Sequence, residues 1–494
     1  MRDGKGKTIV GIVLAILIGL VVWSMVSTQA RWKHSDLGLA EYKKANYRKA
    51  TEYYTKAIEA HPNEAFLYNN RGLAYYELER YDEAISDYNK AIELKPDYAE
   101  AYLNRGLAYF KKGSYYKTEP YQKAISDFTK AIELKPDFVD AYYNRGMTYI
   151  KYVHYHHKYK TIPPEFPPQD VEYYKKALAD FDKVLELDPS YVLAHEGRGN
   201  LFYRHGDWDL ATEEYNKALE RKDEILKKVG EEGLAGVYNS RGRNLLAAGK
   251  FEEAISDFTK AIEYYRKGAK KGVGLSKNIT NALAHRTVAA WELGRWEDAI
   301  KYADECIEVK ESDPERFGDA TSYYYFTKGR CYYKLGRYDE AVANLKKALG
   351  EPKYGMDARA RLWLGRVYKA KGDEKKAREE IKKALKYYDE GVKRNDEYKI
   401  HKAAFRRGIC YLELGEYEKA ISDFEETIKR KALSDRPVNH TNYYLDAHRY
   451  IGIAYMRAGK EDKAREYFRK TIELAKERGF KEVVEEVEEL LSEL

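Results

Sequence analysis

The sequence predicts an all-α chain, with one N-terminal transmembrane helix leading into an α-solenoid of about eleven helix–turn–helix repeats. Three observations predict it. Gly38, Gly72 and Gly106 stand 34 residues apart, as do Ala50 and Ala84. Residues Thr8 to Val26 carry no charge. Tyrosine accounts for 48 of 494 residues, an excess that a repeated motif with a fixed tyrosine position would produce.

Taken from the N-terminus, Arg2, Lys5 and Lys7 make a short basic tail over residues 1–7. The apolar run behind it is about long enough to cross a bilayer as a helix. It is longer than the core of a cleaved signal peptide, and Thr28-Gln29-Ala30 is a poor cleavage site, so residues 8–27 are expected to be an uncleaved signal anchor. Gly11, Ala15 and Gly19 share one face of that helix, where a second helix could pack closely. Trp23 and Trp32 bracket the expected membrane interface. Charges flanking the span point to a repeat body outside the cytoplasm, periplasmic or equivalent, and leave the cytoplasmic side open.

The second repeat reads AFLYNNRGLAYYELERYDEAISDYNKAIELKPDY, from Ala65 to Tyr98. Its small residues, Gly72 and Ala84, suit a close crossing of two helices. Tyr75 and Tyr88 would fill the gaps beside that crossing, and Pro96 would stop the second helix. No single unit buries its apolar face, so neighbours must stack. The glycine recurs at 146, 199, 242, 329, 365, 408 and 452, with Thr287 in its place in the seventh unit. The alanine recurs in every unit, and glycines 113, 206, 249, 294, 336, 372, 415 and 459 mark the turns between helices.

In spacing and residue type this resembles the tetratricopeptide repeat, with Tyr for its Trp and Arg for its Leu. The resemblance covers residues 31 to about 478 and implies a right-handed superhelix that binds other proteins. Repeats 1–5 would occupy 28–225. Repeats 6–11, with lengthened helices, would occupy 226–478, and an acidic amphipathic helix over 479–494 would cap the last repeat. Insertions interrupt the third unit near Tyr115–Pro120 and the fourth over His154–Gln169.

Asn70, Asn104 and Asn144 each precede an Arg-Gly pair, and Ser240 takes the matching place in the sixth unit. In family members that bind extended peptides, asparagines here hydrogen-bond the ligand backbone; an amide offers donors and an acceptor together. The resemblance thus makes Asn70, Asn104, Asn144 and Ser240 a partner-binding groove, with the amides left free by the fold. The family's carboxylate clamp is not matched: Lys402 and Arg406 fit its last member, but Trp363 and Phe326 stand where Asn and Lys belong.

His154, His156 and His157 raise a metal site, since imidazole is a common ligand. No thiol or carboxylate completes a set, and Pro163, Pro164, Pro167 and Pro168 favour a stiff extended arm. With Phe166, these histidines are therefore expected to form a docking arm. Cys306, Cys331 and Cys410 have no metal spacing and read as buried free thiols. With 88 basic and 81 acidic residues the surface has mixed sign, unlike a nucleic-acid-binding face.

No nucleophile, phosphate-loop or metallohydrolase motif appears, so neither enzymatic activity nor a cofactor is expected. The function expected is a membrane-tethered scaffold, a structural subunit or assembly factor of a membrane-associated complex, with proteins and the lipid bilayer as partners. The alternative is a receptor for extended peptides or precursor proteins at a membrane surface.

Overall fold

A computed structural model describes residues 32–114, 117–156, 168–269, 278–317, 321–350, 356–393, 400–431, 443–477 and 481–494. The anchor over 8–27, with Gly11, Ala15 and Gly19, lies outside these residues. Among the described residues no helix is long and apolar enough to cross a membrane. Their architecture is antiparallel helix pairs from Lys33–Lys43 with Tyr47–Ala60 through to Tyr443–Arg457 with Glu461–Glu477. A last helix, Lys481–Ser492, closes the end. No strand occurs among the described residues; a single bridge joins Ser114 to Lys117 in the third repeat's connection.

The described helices gather into two compact units, one over 32–156 with 172–194 and one over 195–494. The sequence reading divides the array at 225/226, where the connections between repeats lengthen. That added length is visible as helix: the first helix of repeat six runs over Lys222–Ala247, bent at Gly230, where φ is 69°. The second helices of repeats six and nine, Phe251–Gly268 and Glu374–Lys393, have 18 and 20 residues, against 14 in Tyr81–Leu94.

Each repeat is set by one close approach. A methyl group on Gly72 would come within 2.7 Å of the Tyr88 ring, and one on Gly106 within 2.7 Å of Phe128. The same fit pairs Gly38 with Tyr54, Gly146 with Phe181, Gly199 with Tyr215, Gly242 with Phe258, Gly408 with Phe424 and Gly452 with Phe468. The bulky residue lies four positions after the repeat's alanine, which is itself fully buried, as at Ala84, Ala124 and Ala254. The glycine thus receives a ring rather than the alanine side chain, and Tyr75, expected as a second gap filler, is only partly buried. Burying such a ring supplies about 1.5–3 kcal/mol.

Repeat seven carries the reciprocal arrangement. Thr287 replaces the glycine, Ala303 stands at the ring position, and both are fully buried. A larger first-helix residue is matched by a smaller second-helix one. Repeats eight and nine use Leu345 and Ile381 against Gly329 and Gly365.

Turns between paired helices follow a recurring cap. After Ala247 the Lys250 N–H donates to the Leu245 carbonyl (2.8 Å) and the Gly249 N–H to that of Leu246 (3.3 Å). Gly249 takes φ 76°, the left-handed conformation that glycine tolerates. Ala45 and Glu79 hold this place in the first two repeats with φ 59°. Gly113, expected to do the same, has φ −62° because the third repeat's connection continues extended into the Ser114–Lys117 bridge. Its hydrogen atom serves a different contact: a Cβ there would come 2.4 Å from the Tyr121 ring.

Trp32, placed by sequence at a membrane interface, packs at a tilt against His61 and Phe66 with ring centroids 4.7 and 5.5 Å away. The C-terminal helix seats Val484 with Leu445 and Ala475, and buries Val487 against Ala464 and Phe468. Cys306, Cys331 and Cys410 are buried free thiols, as the sequence predicts.

The size exchange in repeat seven generates a test. Gly106→Thr should overpack repeat three and lower stability by about 1–3 kcal/mol. Adding Phe128→Ala should recover part of that loss, so that the double variant is more stable than the sum of the single changes predicts. Urea denaturation of the four proteins measures the coupling, and strict additivity would show that residues 106 and 128 do not share one space.

Candidate protein-interaction surface

The residues around the sequence-predicted groove are anchored by a clasp. Arg71, one residue ahead of Gly72, grips Asp87 through two parallel hydrogen bonds of 2.8 and 2.7 Å. Its remaining nitrogen, Nη1, donates to Thr55 of the preceding repeat at 3.1 Å. Arg105 repeats this with Asp127 and Asn89, Arg145 with Asp180 and Thr129, Arg241 with Asp257 and Asn216, and Arg407 with Asp423 and Asp389. One planar side chain thereby ties the two helices of its own repeat to the second helix of its neighbour.

Tyrosines stack on these arginines from one turn earlier: Tyr68 at 5.8 Å from Arg71, Tyr102 at 5.4 Å from Arg105, and Tyr142 at 5.6 Å from Arg145. Part of the tyrosine excess is spent on this role. Burial pushes the carboxyls of Asp87, Asp127 and Asp180 upward, an effect their arginines oppose by hydrogen bonding. The Arg-Gly pairs stand out in the sequence, whereas their aspartate partners do not enter the expectation drawn from it. The signal was present: an aspartate or glutamate three residues after the alanine in seven of the repeats, at 87, 127, 180, 214, 257, 380 and 423, recurs too regularly for a solvated face.

The clasp fixes the register of the asparagines beside it. Asn70, Asn104 and Asn144 occupy one position in three successive first helices of the N-terminal unit, and all are partly buried. They are not left free by the fold, as the sequence reading expects. Asn104 Nδ2 donates to Asn69 Oδ1 of the preceding repeat (2.9 Å), and Asn144 Nδ2 to the Asp140 carbonyl (2.7 Å). Asn70 Oδ1 accepts from Asn69 Nδ2 at 3.5 Å. A helix interior offers a short amide its own backbone as a partner, and a neighbouring first helix lies within reach. What stays open is the complementary half of each amide: Asn70 Nδ2, Asn104 Oδ1 and Asn144 Oδ1.

Ser240 belongs to a different setting in the C-terminal unit. Its hydroxyl donates to Glu196 Oε1 at 3.3 Å, and Tyr215 donates to Asn200 Oδ1 at 3.0 Å in the same cluster. Burial raises the Glu196 carboxyl to about 7, opposed by hydrogen bonds from Ser240 and Asn200.

The arm residues are not placed. His157 and Phe166 lie outside the described residues, and of the His154 and His156 side chains nothing is described. Among the described residues no group of His, Cys, Asp or Glu is arranged to hold a metal ion.

Comparison with known proteins follows the same repeats. A profile described as tetratricopeptide repeat matches residues 172–224, 239–314, 326–386 and 370–437. Related tetratricopeptide and TPR profiles match 53–86, 72–113, 114–151, 280–350 and 445–478. The chain is 26% identical to Hsp70-Hsp90 organizing protein 3 of Arabidopsis thaliana over 55% of its own length and 41% of that protein's. It is 24% identical to DnaJ homolog subfamily C member 3 of Gallus gallus over 54% of its length and 50% of that protein's. It therefore spans half or less of these relatives. A crystal structure of MamA aligns at 25% identity and TM-score 0.31, covering 39% of this chain and 97% of that one.

The Glu196 cluster gives a pH test. The folded chain holds this proton more tightly than the unfolded chain, whose glutamate titrates near its ordinary value. Its contribution to stability is complete below that value and is lost as pH rises through about 7. Glu196→Gln should flatten this part of the profile, so that thermal melts from about pH 5 to about pH 8 fall less in the variant. Parallel profiles would mean that Glu196 is solvated.

The glycine-to-ring register, the repeated clasp and the span of the profile matches together place this chain in the tetratricopeptide repeat family, whose members mediate protein–protein interaction.

Proposed function

We propose that the chain is a membrane-tethered docking scaffold, a structural subunit or assembly factor of a membrane-associated complex. Residues 8–27 would hold it in the bilayer, and the first helices of repeats two to four would receive an extended segment of a partner. The observation that carries this reading is the common register of Asn70, Asn104 and Asn144, each with half of its amide open. An extended backbone carries alternating donors and acceptors, and Asn70 Nδ2, Asn104 Oδ1 and Asn144 Oδ1 supply complements to both. Tethering raises the local concentration of whatever is bound near the membrane. The uncharged run from Thr8 to Val26 supports the tether. The arm over His154–Gln169 is a further docking element in this reading.

A receptor for extended peptides or precursor proteins uses the same face and differs in stoichiometry. The names of the relatives add chaperones to the candidate partners.

The full chain, affinity-purified from native membranes, should recover its partner in near-equal amount if it is a permanent subunit. Asn70→Ala, Asn104→Ala and Asn144→Ala together should reduce that recovery while costing stability about 1 kcal/mol or less, as expected for exposed or partly exposed helix positions. Recovery unchanged in the folded triple variant would remove the asparagine face from the reading. Recovery of the chain in the soluble fraction alone would remove the tether.

A further inference from the structure

In the C-terminal unit three first-helix arginines lack the carboxylate partners that Arg241, Arg361, Arg366 and Arg407 have. Arg330 follows Gly329 in the first helix of repeat eight, Ser322–Lys334. Its guanidinium carbon lies 3.7 Å from the centroid of Trp291 in repeat seven, 5.6 Å from Phe326 in its own helix and 5.0 Å from Trp363 in repeat nine. Arg359, from the first helix of repeat nine, sits 4.6 Å from the same Phe326 ring. Arg406, in the first helix of repeat ten, is close enough to repel Arg359.

None of the three forms an ion pair among the described residues, and Arg330 Nε is buried without a hydrogen-bond partner. Burial, reinforced by Arg359, pushes the Arg330 guanidinium down to about 10, with Glu292 supplying only weak attraction. Neighbouring cations contrast with this. Arg366 shares the Trp363 ring and is bound to Glu413 at 2.9 Å, and Lys328 is bound to Asp304 at 2.5 Å.

We infer that Arg330, Arg359 and Arg406, framed by Trp291, Phe326 and Trp363, form a docking site for an acidic segment of a partner protein. Aromatic rings against the guanidinium faces leave the in-plane N–H edges as the donors still to be satisfied. Those edges match a carboxylate in a two-point arrangement. Three like charges held close together in partly dry surroundings are costly, and a bound anion relieves both the repulsion and the unmet donors.

Tyr323 stands beside Arg330 and Arg359 and is 38% exposed, large apolar area suited to a protein partner. Lys328 and Arg366 are already paired, and three arginines make too short a track for a phosphodiester backbone. This site lies in repeats seven to ten and is independent of the asparagine face of repeats two to four.

The test uses the full chain and a fluorescent peptide rich in Glu and Asp, with its Gln and Asn counterpart and a single-stranded oligonucleotide of equal charge as comparisons. The acidic peptide should bind, weaken with added salt, and quench or shift the emission of Trp291 and Trp363, whereas its neutral counterpart should not bind. Arg330→Gln should weaken it roughly tenfold or more. Because Arg330 is packed among rings, Arg359→Gln with Arg406→Gln is the second variant, checked for an unchanged circular dichroism melt. It should weaken binding to a similar extent. The triple asparagine variant should bind the acidic peptide as the wild type does. Absence of acidic-peptide binding, equal binding of the neutral peptide, or undiminished binding by the folded Arg359/Arg406 variant would overturn the proposal. So would tighter binding of the oligonucleotide at these arginines, or self-association of the chain that they control.

Discussion

A missing side chain is what the rest of this structure depends on. Where Gly72, Gly106, Gly242 or Gly408 lies, the first helix comes so close to the second that only a hydrogen atom fits beneath the facing ring. Once that distance is set, the alanine four residues before the ring is enclosed, and the arginine beside the glycine is brought to its aspartate. The clasp then reaches one repeat back, to Thr55, Asn89, Thr129 or Asn216. Packing within a repeat and coupling between repeats therefore share adjacent residues. In a nearest-neighbour array such coupling makes separate hairpins unfold together.

Much of the fold was legible because the glycine–alanine period samples the same contact in every unit. Side-chain partners were less legible. The period gives Gly72 and Ala84 as small residues at a crossing with Tyr75 and Tyr88 beside it, and only the structure separates Tyr88, whose ring faces Gly72, from the partly buried Tyr75. Gly113 illustrates the converse: it shares the column of turn glycines, yet its connection is longer and its φ is negative. Thr287 looks like a lapse in the motif until Ala303 is seen at the ring position. A substitution across two helices cannot be recognised as compensated from one helix alone.

The candidate site was legible in position and not in chemistry. Register along the first helix put Asn70, Asn104 and Asn144 on one column, but hydrogen bonds to Asn69 and Asp140 halve what their amides can offer. The arginines at 330, 359 and 406 were hidden for a different reason. Arg330, Arg359 and Arg406 occupy three different positions relative to their repeat glycines, so no column of the repeat contains all three. They converge only when successive first helices stack. The mixed overall charge conceals them as well, since most other described arginines in the unit are matched by carboxylates.

A division of labour follows, in which second helices carry the frame and first helices carry recognition. Hydrogen–deuterium exchange of the full chain, alone and with its co-purified partner, tests that division most directly. The account predicts added protection along the first helices, in Ala65–Glu77, Ala99–Lys112 and Val139–His156 or in Ser322–Lys334, Met356–Ala370 and Ile400–Leu414, with the second helices between them unchanged. Protection gained chiefly in the second helices would contradict it.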